Sequence, residues 1–320
     1  MAHRLGEHEP TCLLILDDSA DDYKTALEKE FPEVVIHACT IETSVGSLIE
    51  RTDILFTGKI SDELISRASR LKWIQAKTTG LDALVNLPSL PKEVLLTSAR
   101  GIHGPQMSEM VILLMLSLNR SFQRVIRNQD QKLWHRWPQR LLRGKKVGIL
   151  GVGVVGEAIA AKCKVFGMTV YGIDRVKRDV EAVDVFLGPE EMAGILGDLD
   201  FLIIAVPSTP QTQRMIDAAV LSAMKPAAFL LNLGRGEVID EEALIEGLKN
   251  KTIAGAALDT FQKEPLPPDH PFWEMHNVII TPHIGGFSDI YVEQVLPIFR
   301  ENLRRFLLGE RRNLINFIER

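Results

Sequence analysis

In the second half of this 320-residue sequence an arginine, a glutamate, a histidine and an aspartate each follow an apolar run. Together they match what reduction of a 2-oxo acid needs: a cation for the carboxylate, a proton donor for the oxygen that becomes negative as hydride arrives, and a group that sets the donor's pKa. Arg235, in Asn232-Leu233-Gly234-Arg235-Gly236, follows AFLLNL, and its planar fork suits a carboxylate. His283, in Pro282-His283-Ile284-Gly285-Gly286, follows NVIIT and is placed to give or take the proton. Glu264, in FQKEP, would pair with that imidazole and raise its pKa. Asp259, ending IAGAALD, would face the cofactor crevice and hold a nicotinamide carboxamide. Each residue alone has a plainer reading: surface salt bridge, solvated loop charge, satisfied core histidine, helix cap. Their joint occurrence after strand-like runs favours the chemical one.

A Gly-rich turn supplies the second ingredient. Gly151-Val152-Gly153-Val154-Val155-Gly156 follows the strand-like KVGIL and opens a helix-like stretch to Phe166, and Asp174 ends the next strand-like run, TVYGID. This context points to a dinucleotide site: Gly151 for the tight turn, Gly153 for close approach to a pyrophosphate, Gly156 for helix–strand packing, and Asp174 for ribose hydroxyls. An acid there repels a 2′-phosphate and favours NAD; Arg175 beside it keeps NADP open.

The elements that would position these groups fall into two series. The first hundred residues alternate short apolar runs (Cys12–Leu16, Val34–His37, Ile54–Phe56, Trp73–Ile74, Val94–Leu96) with helix-compatible stretches such as Ala26–Phe31 and Asp62–Arg70, the rhythm of βαβ units. From Lys146, VGIL, TVYGID, FLIIAV, AFLLNL, IAGAALD and NVIIT read as buried parallel strands. Between the series, Gln106–Asn128 is apolar around most of its circumference and predicts one long helix, either a core helix or a dimer interface. Ile290–Leu308 predicts a helix that returns to the first domain. The expected fold is α/β, two Rossmann-like doubly wound parallel-sheet domains: a substrate domain of residues 1–102 and 285–320, with a dinucleotide-binding domain of residues 103–284 inserted in it.

Length, 46% hydrophobic and 25% charged residues fit a globular two-domain chain. A net charge of −5 with no dense basic tract disfavours nucleic acid. Cys12, Cys39 and Cys163 are spaced neither for a disulfide framework nor for a metal, so no metal is expected. MAHRLGEHEP lacks the apolar core of a signal peptide, and the longest apolar run, Val111–Leu118, is short of a membrane span; a cytoplasmic, membrane-free protein is the expectation.

The series LGVGVVG with YGID, LIIAVPSTPQTQRMI, LLNLGRGEVIDEEAL, AALDTFQKEPLP and ITPHIGG resembles, in order and approximate spacing over almost the whole chain, the D-isomer-specific 2-hydroxyacid dehydrogenases. The resemblance implies that Arg235 binds substrate carboxylate and that His283 and Glu264 form the acid/base dyad. It implies that Val154, Val155, Asp174, Val206, Pro207, Thr212, Leu233, Gly234, Arg235, Asp259, His283, Gly285 and Gly286 line the cofactor. Thr79, Gly80 and Leu81, in KTTGLDAL, would be the first-domain substrate loop, which pattern alone reads only as a turn. Glu264 departs from the glutamine of related formate dehydrogenases, and Phe56–Lys59 lacks the arginine of phosphoglycerate dehydrogenases. A C-terminal regulatory domain is also missing from the pattern. Trp134 and Trp137 lie where glyoxylate reductases lend an aromatic to a substrate pocket, sometimes across a dimer; core packing is the other reading. The expected partners are a small 2-oxo or 2-hydroxy acid and a second copy in a homodimer. Two alternatives accompany this reading: an NADP-preferring glyoxylate/hydroxypyruvate reductase, and a non-enzymatic NADH-sensing protein similar to corepressors.

Overall fold

A computed structural model describes residues 9–320; the N-terminal residues before Glu9, on which most of the leader-peptide expectation falls, lie outside the described residues. The chain divides into two units, one running up to Ile102 and resuming at Ser288–Arg320, the other being His103–Phe287. The second is thus inserted into the first. Its C-terminal boundary falls at Phe287 rather than at 284. Backbone amides of Ile284 and Gly285 bond Asp259, and the Gly286 carbonyl accepts from Gln106 Nε2, which keeps this stretch with the inserted unit.

The first unit holds a five-stranded parallel sheet: β1 (Thr11–Leu16), β2 (Val34–Cys39), β3 (Ile54–Thr57), β4 (Trp73–Ala76) and β5 (Leu95–Thr97), in the order β2-β1-β3-β4-β5. The helix after β1 occupies Ala20–Leu27, not Ala26–Phe31. Ala20, Tyr23 and Leu27 recur at helical spacing and are buried, and Pro32 cannot donate the hydrogen bond that a helix continuing past Phe31 would need. The return helix, Tyr291–Leu307, packs Val295, Phe299 and Leu303 among Phe56 and Trp73 of the sheet. The Phe299 ring lies 4.6 Å from that of Phe56. Trp73 Nε1 donates to Thr97 Oγ1 at 2.8 Å, so its one polar atom is satisfied in the core.

The inserted unit holds seven parallel strands: β6 (Lys146–Leu150), β7 (Thr169–Ile173), β8 (Val185–Leu187), β9 (Phe201–Ile204), β10 (Phe229–Asn232), β11 (Gly255–Leu258) and β12 (Val278–Ile280). Their order, β12-β11-β10-β9-β6-β7-β8, reverses direction beside β6, so the carboxyl end of β6 is a topological switch point, the place where such sheets bind ligands. β9, β10 and β11 are buried throughout, as their apolar runs, interrupted only by Asn232 at the end of β10, require when helices cover both faces.

The expected single helix over Gln106–Asn128 is two helices, Gly104–Asn119 and Phe122–Asp130. Ser121 between them takes a left-handed conformation, φ +53°. The first helix buries Met107, Val111, Leu114, Met115 and Leu118 against the sheet; the second buries none of its residues. Once burial ends at Asn119, no core contact holds the backbone to one continuous axis. Among the described residues no helix is long and apolar enough to cross a membrane, and no group of three or more His, Cys, Asp or Glu could hold a metal ion. The three cysteines are free and buried.

Candidate active site

All of the chemistry-bearing residues of the inserted unit follow carboxyl ends of its strands. Arg235 follows β10, Asp259 and Glu264 follow β11, and His283 follows β12, three strands adjacent in the sheet. The Gly-rich turn follows β6.

His283 and Glu264 are brought together: imidazole Nδ1 lies 2.7 Å from Glu264 Oε2. The other carboxylate oxygen accepts from the Phe261 amide at 3.0 Å, which fixes the orientation of Glu264. With Nδ1 facing a carboxylate, the hydrogen sits on Nδ1 in the neutral ring and Nε2 is left for a substrate oxygen. His283 is held at φ +53°, a left-handed conformation that costs a non-glycine residue about 1 kcal/mol or more and persists only where neighbours enforce it.

The enforcing group is Asp259, which is buried, 1% exposed. Its Oδ1 accepts from Thr281 Oγ1 at 2.6 Å and from the Ile284 amide at 3.0 Å; its Oδ2 accepts from the Gly285 amide at 2.9 Å. Expected to reach toward the cofactor, Asp259 clamps both sides of the His283 turn. Asn232 does the same for the arginine. It is fully buried, its Oδ1 accepts from the Gly234 amide and its Nδ2 donates to the Arg235 carbonyl at 3.0 Å. Arg235 itself is half-buried, with Nη1 donating to the Gly234 carbonyl at 2.9 Å. Gly236 joins the two loops: a Cβ there would lie 2.0 Å from the Phe261 carbonyl carbon, so only glycine lets the arginine loop meet the segment leading to Glu264.

The Gly-rich turn fits a dinucleotide on structural grounds. At Gly156 a Cβ would stand 2.1 Å from the Gly151 carbonyl oxygen, so the turn and the Val154–Val165 helix pack backbone to backbone. At Gly153, the residue before that helix, a Cβ would meet nothing, and Val154 is exposed. No side chain caps this helix, so its first amides are open to an anion. Asp174 Oδ2 accepts from the Val152 amide at 2.8 Å, and Arg178 donates to the Val152 carbonyl and pairs with Glu157. Asp174 therefore braces the turn in addition to facing outward beside the exposed Arg175.

The remaining expected positions divide by exposure. Val206 and Val155 are half-buried and Pro207 is exposed. Thr212 Oγ1 donates to the Pro207 carbonyl and accepts from the Thr209 amide, closing the loop after β9. Leu233 is in the core, so only its backbone is left for a ligand, and Gly234 lies against the Val206 carbonyl. Thr79, Gly80 and Leu81 belong to the other unit, in the turn after β4, where Thr78 Oγ1 donates to the Gly80 carbonyl at 2.7 Å. Trp134 is 93% exposed, which excludes the core-packing reading for it; Trp137 is half-buried beneath the Arg124 guanidinium. Asn232 and Thr281 join the site as bracing residues beyond those the motifs single out, Asn232 from within the same NLGRG motif as Arg235.

Known proteins of related sequence and fold place the chain in a family. The family model described as "D-isomer specific 2-hydroxyacid dehydrogenase, NAD binding domain" matches residues 112–285. A glyoxylate reductase of Thermofilum pendens is 34% identical over 266 residues, 80% of this chain and 78% of that one. A D-isomer specific 2-hydroxyacid dehydrogenase family protein from Aeromonas salmonicida superposes with a TM-score of 0.89 at 32% identity, covering 97% of this chain and 99% of that one. The NADPH-dependent glyoxylate/hydroxypyruvate reductase of Sinorhizobium meliloti, solved with NADP and sulfate, superposes with a TM-score of 0.83 at 27% identity, covering 97% and 98%. The chain belongs to the D-isomer specific 2-hydroxyacid dehydrogenase family.

Proposed function

We propose that the protein interconverts a small 2-oxo acid and its D-2-hydroxy acid, with Arg235 as the carboxylate anchor and the His283–Glu264 pair as acid/base. The observation that carries this reading is the 2.7 Å contact between His283 Nδ1 and a Glu264 carboxylate that is itself fixed by the Phe261 amide. A nicotinamide dinucleotide, when bound, supplies or accepts the hydride. Arg235 grips the substrate carboxylate and aims the carbonyl at the imidazole. His283 Nε2 gives its proton to the oxygen as negative charge develops there, and Glu264 stabilises the imidazolium before transfer. In the reverse direction the same nitrogen takes the proton from the hydroxyl.

The inserted unit would hold the cofactor through the open amides at Val154 and Val155, with Asp174 receiving ribose hydroxyls; Thr79–Leu81 stay a proposed substrate-binding turn of the first unit. Asp174 supports NAD as the preferred form. That solved relatives carry NADPH or NADP keeps exposed Arg175 as the group to test for a 2′-phosphate. Exposed Leu113, Phe122, Leu133 and Trp134 support a homodimer, and the cysteine usage supports a cytoplasmic setting.

Arg235→Lys is the test of the anchor. It keeps the charge but loses the planar fork, and the expected result is a 2-oxo acid KM raised about 10- to 100-fold with NADH affinity unchanged. An unchanged KM rejects Arg235 as the carboxylate site.

A further inference from the structure

Two bonds from the loop that carries Glu264 end on one short segment of chain. On one side of Glu264, Gln262 donates through Nε2 to the Ile239 carbonyl at 2.8 Å. On the other side, His270 brings ring Nε2 to 3.1 Å from Glu241 Oε1. Glu241 is the first residue of the Glu241–Lys249 helix, and residues 239–241 are where the chain leaving Arg235 enters that helix. The loop of the dyad glutamate is thus stitched, before and after Glu264, to the continuation of the arginine loop.

The stitch matters because the core holds little of this loop. Phe261 and Phe272 at its two ends are in the core, but none of residues 262–269 is buried, and Leu266 only leans on the core from outside. A surface segment of this kind keeps one shape through its bonds. The Pro267 carbonyl accepts from the His270 amide at 3.0 Å and from Trp273 Nε1 at 2.9 Å, which ties the middle of the loop to the neighbourhood of His270.

The His270 ring is placed for holding and not for proton transfer. Its Nδ1 accepts from the Phe272 amide at 3.3 Å, capping the Pro271–Glu274 turn, so the ring hydrogen sits on Nε2 and is donated to Glu241. Both nitrogens are engaged, the ring centroid lies 4.7 Å from that of Phe272, and the side chain is 14% exposed. His283 is the reverse case: its Nδ1 faces Glu264, Nε2 is left over for a substrate, and the side chain is 46% exposed.

We infer that His270 and Glu241 form a positioning pair for the reaction, holding the Glu264 loop at a fixed offset from the Arg235 loop so that the carboxylate anchor and the acid/base dyad meet one substrate together. The inference rests on the roles proposed above for Arg235, Glu264 and His283. Neither residue touches the reacting atoms; both act through the loop.

His270→Asn is the decisive variant. Its side-chain oxygen can still cap the Phe272 amide, so the turn is kept, but it is too short to reach Glu241. The expected result is a kcat lowered about tenfold or more with NADH affinity within about twofold of the parent, since misplacing catalytic groups by about 1 Å has effects of this size. A crystal structure of the variant should show Glu264 outside hydrogen-bond distance of His283. Glu241→Ala should lower kcat as far, and the double variant should be no worse than either, because the two side chains make one interaction. Glu241→Gln still accepts from Nε2 and should recover most of the lost turnover. Four outcomes overturn the positioning role: Glu264 still bonded to His283 in His270→Asn, losses that multiply in the double variant, a Glu241→Gln as impaired as Glu241→Ala, or lowered Tm with kcat unchanged, the mark of a purely structural pair. The crystal structure is read without substrate, so this failure is distinct from failure of the acid/base reading, which shows instead as turnover surviving in His283→Ala.

Discussion

A histidine in the left-handed region is useful only if something forces it there, and Asp259 does so with three hydrogen bonds into the turn. Asp259→Asn puts an amide NH2 where at least one backbone N–H now donates, leaving a buried donor unmet. The expected cost is about 1–3 kcal/mol of stability with turnover reduced tenfold or more, while the KM for NADH stays near its original value. Chemical denaturation and steady-state kinetics check both numbers, and an unchanged turnover would remove Asp259 from the positioning role. Asp174 carries a second prediction: Asp174→Ala should lower the ratio of NADH to NADPH specificity by tenfold or more, since the acid both binds ribose and repels a 2′-phosphate. A ratio that does not move would separate Asp174 from cofactor choice. Arg235, His283 and Glu264 were legible because each stands in a short motif after an apolar run. The bracing roles of Asn232 and Asp259 were not, because a side chain bonding backbone a few residues or a whole strand away leaves no mark of its own on periodicity.

Among the elements, the buried strands were the most legible, since β9 and β11 are unbroken apolar runs and β10 is one up to Asn232. β8 escaped notice: Val185–Leu187 is a three-residue edge strand, none of it buried, and so lacks both length and pattern. The break at Ser121 was hidden for a related reason, because Phe122, Val125 and Ile126 keep an apolar rhythm although none of them is buried. The start of the Gly104–Asn119 helix carries a pH prediction. His103, the residue before it, is pushed down to about 4 by burial, and its ring would stand 3.1 Å from a Cβ at Gly286. Its folded pKa is below the ordinary histidine value of 6.5, so the unfolded chain binds the extra proton first as pH falls. The stability this neutral ring provides is complete above pH 6.5 and is lost progressively between 6.5 and about 4, a change on the order of 3 kcal/mol. His103→Gln should flatten that part of the stability profile measured by urea unfolding; a profile that keeps its slope would contradict the assignment.

At the scale of the whole molecule, each unit has its own sheet and core, and the inserted one is a continuous stretch, His103–Phe287, containing two buried apolar clusters. A fragment of residues 103–287 should fold alone and bind NADH without turning over any 2-oxo acid. Saturation at a hundredfold excess over Kd should stabilise it by about 2.7 kcal/mol. Loss of NADH binding in a folded fragment would show that the dinucleotide site needs the other unit. The two-domain insertion was readable in outline, since the helix after His283 returns to a first series of strands that lacks it. Its boundary was misplaced by three residues because the bonds holding 284–287 come from Asp259 and Gln106, remote in sequence. The central claim is hydride transfer to a 2-oxo acid with His283 as proton donor. It is tested most directly by following nicotinamide absorbance with glyoxylate, hydroxypyruvate, pyruvate and phenylpyruvate, NADH and NADPH in turn, beside His283→Ala. The account predicts turnover of at least one acid, reduced by about 100-fold or more in His283→Ala with NADH binding retained. Equal turnover in the variant, or tight NADH binding without turnover of any acid by the parent, would contradict it.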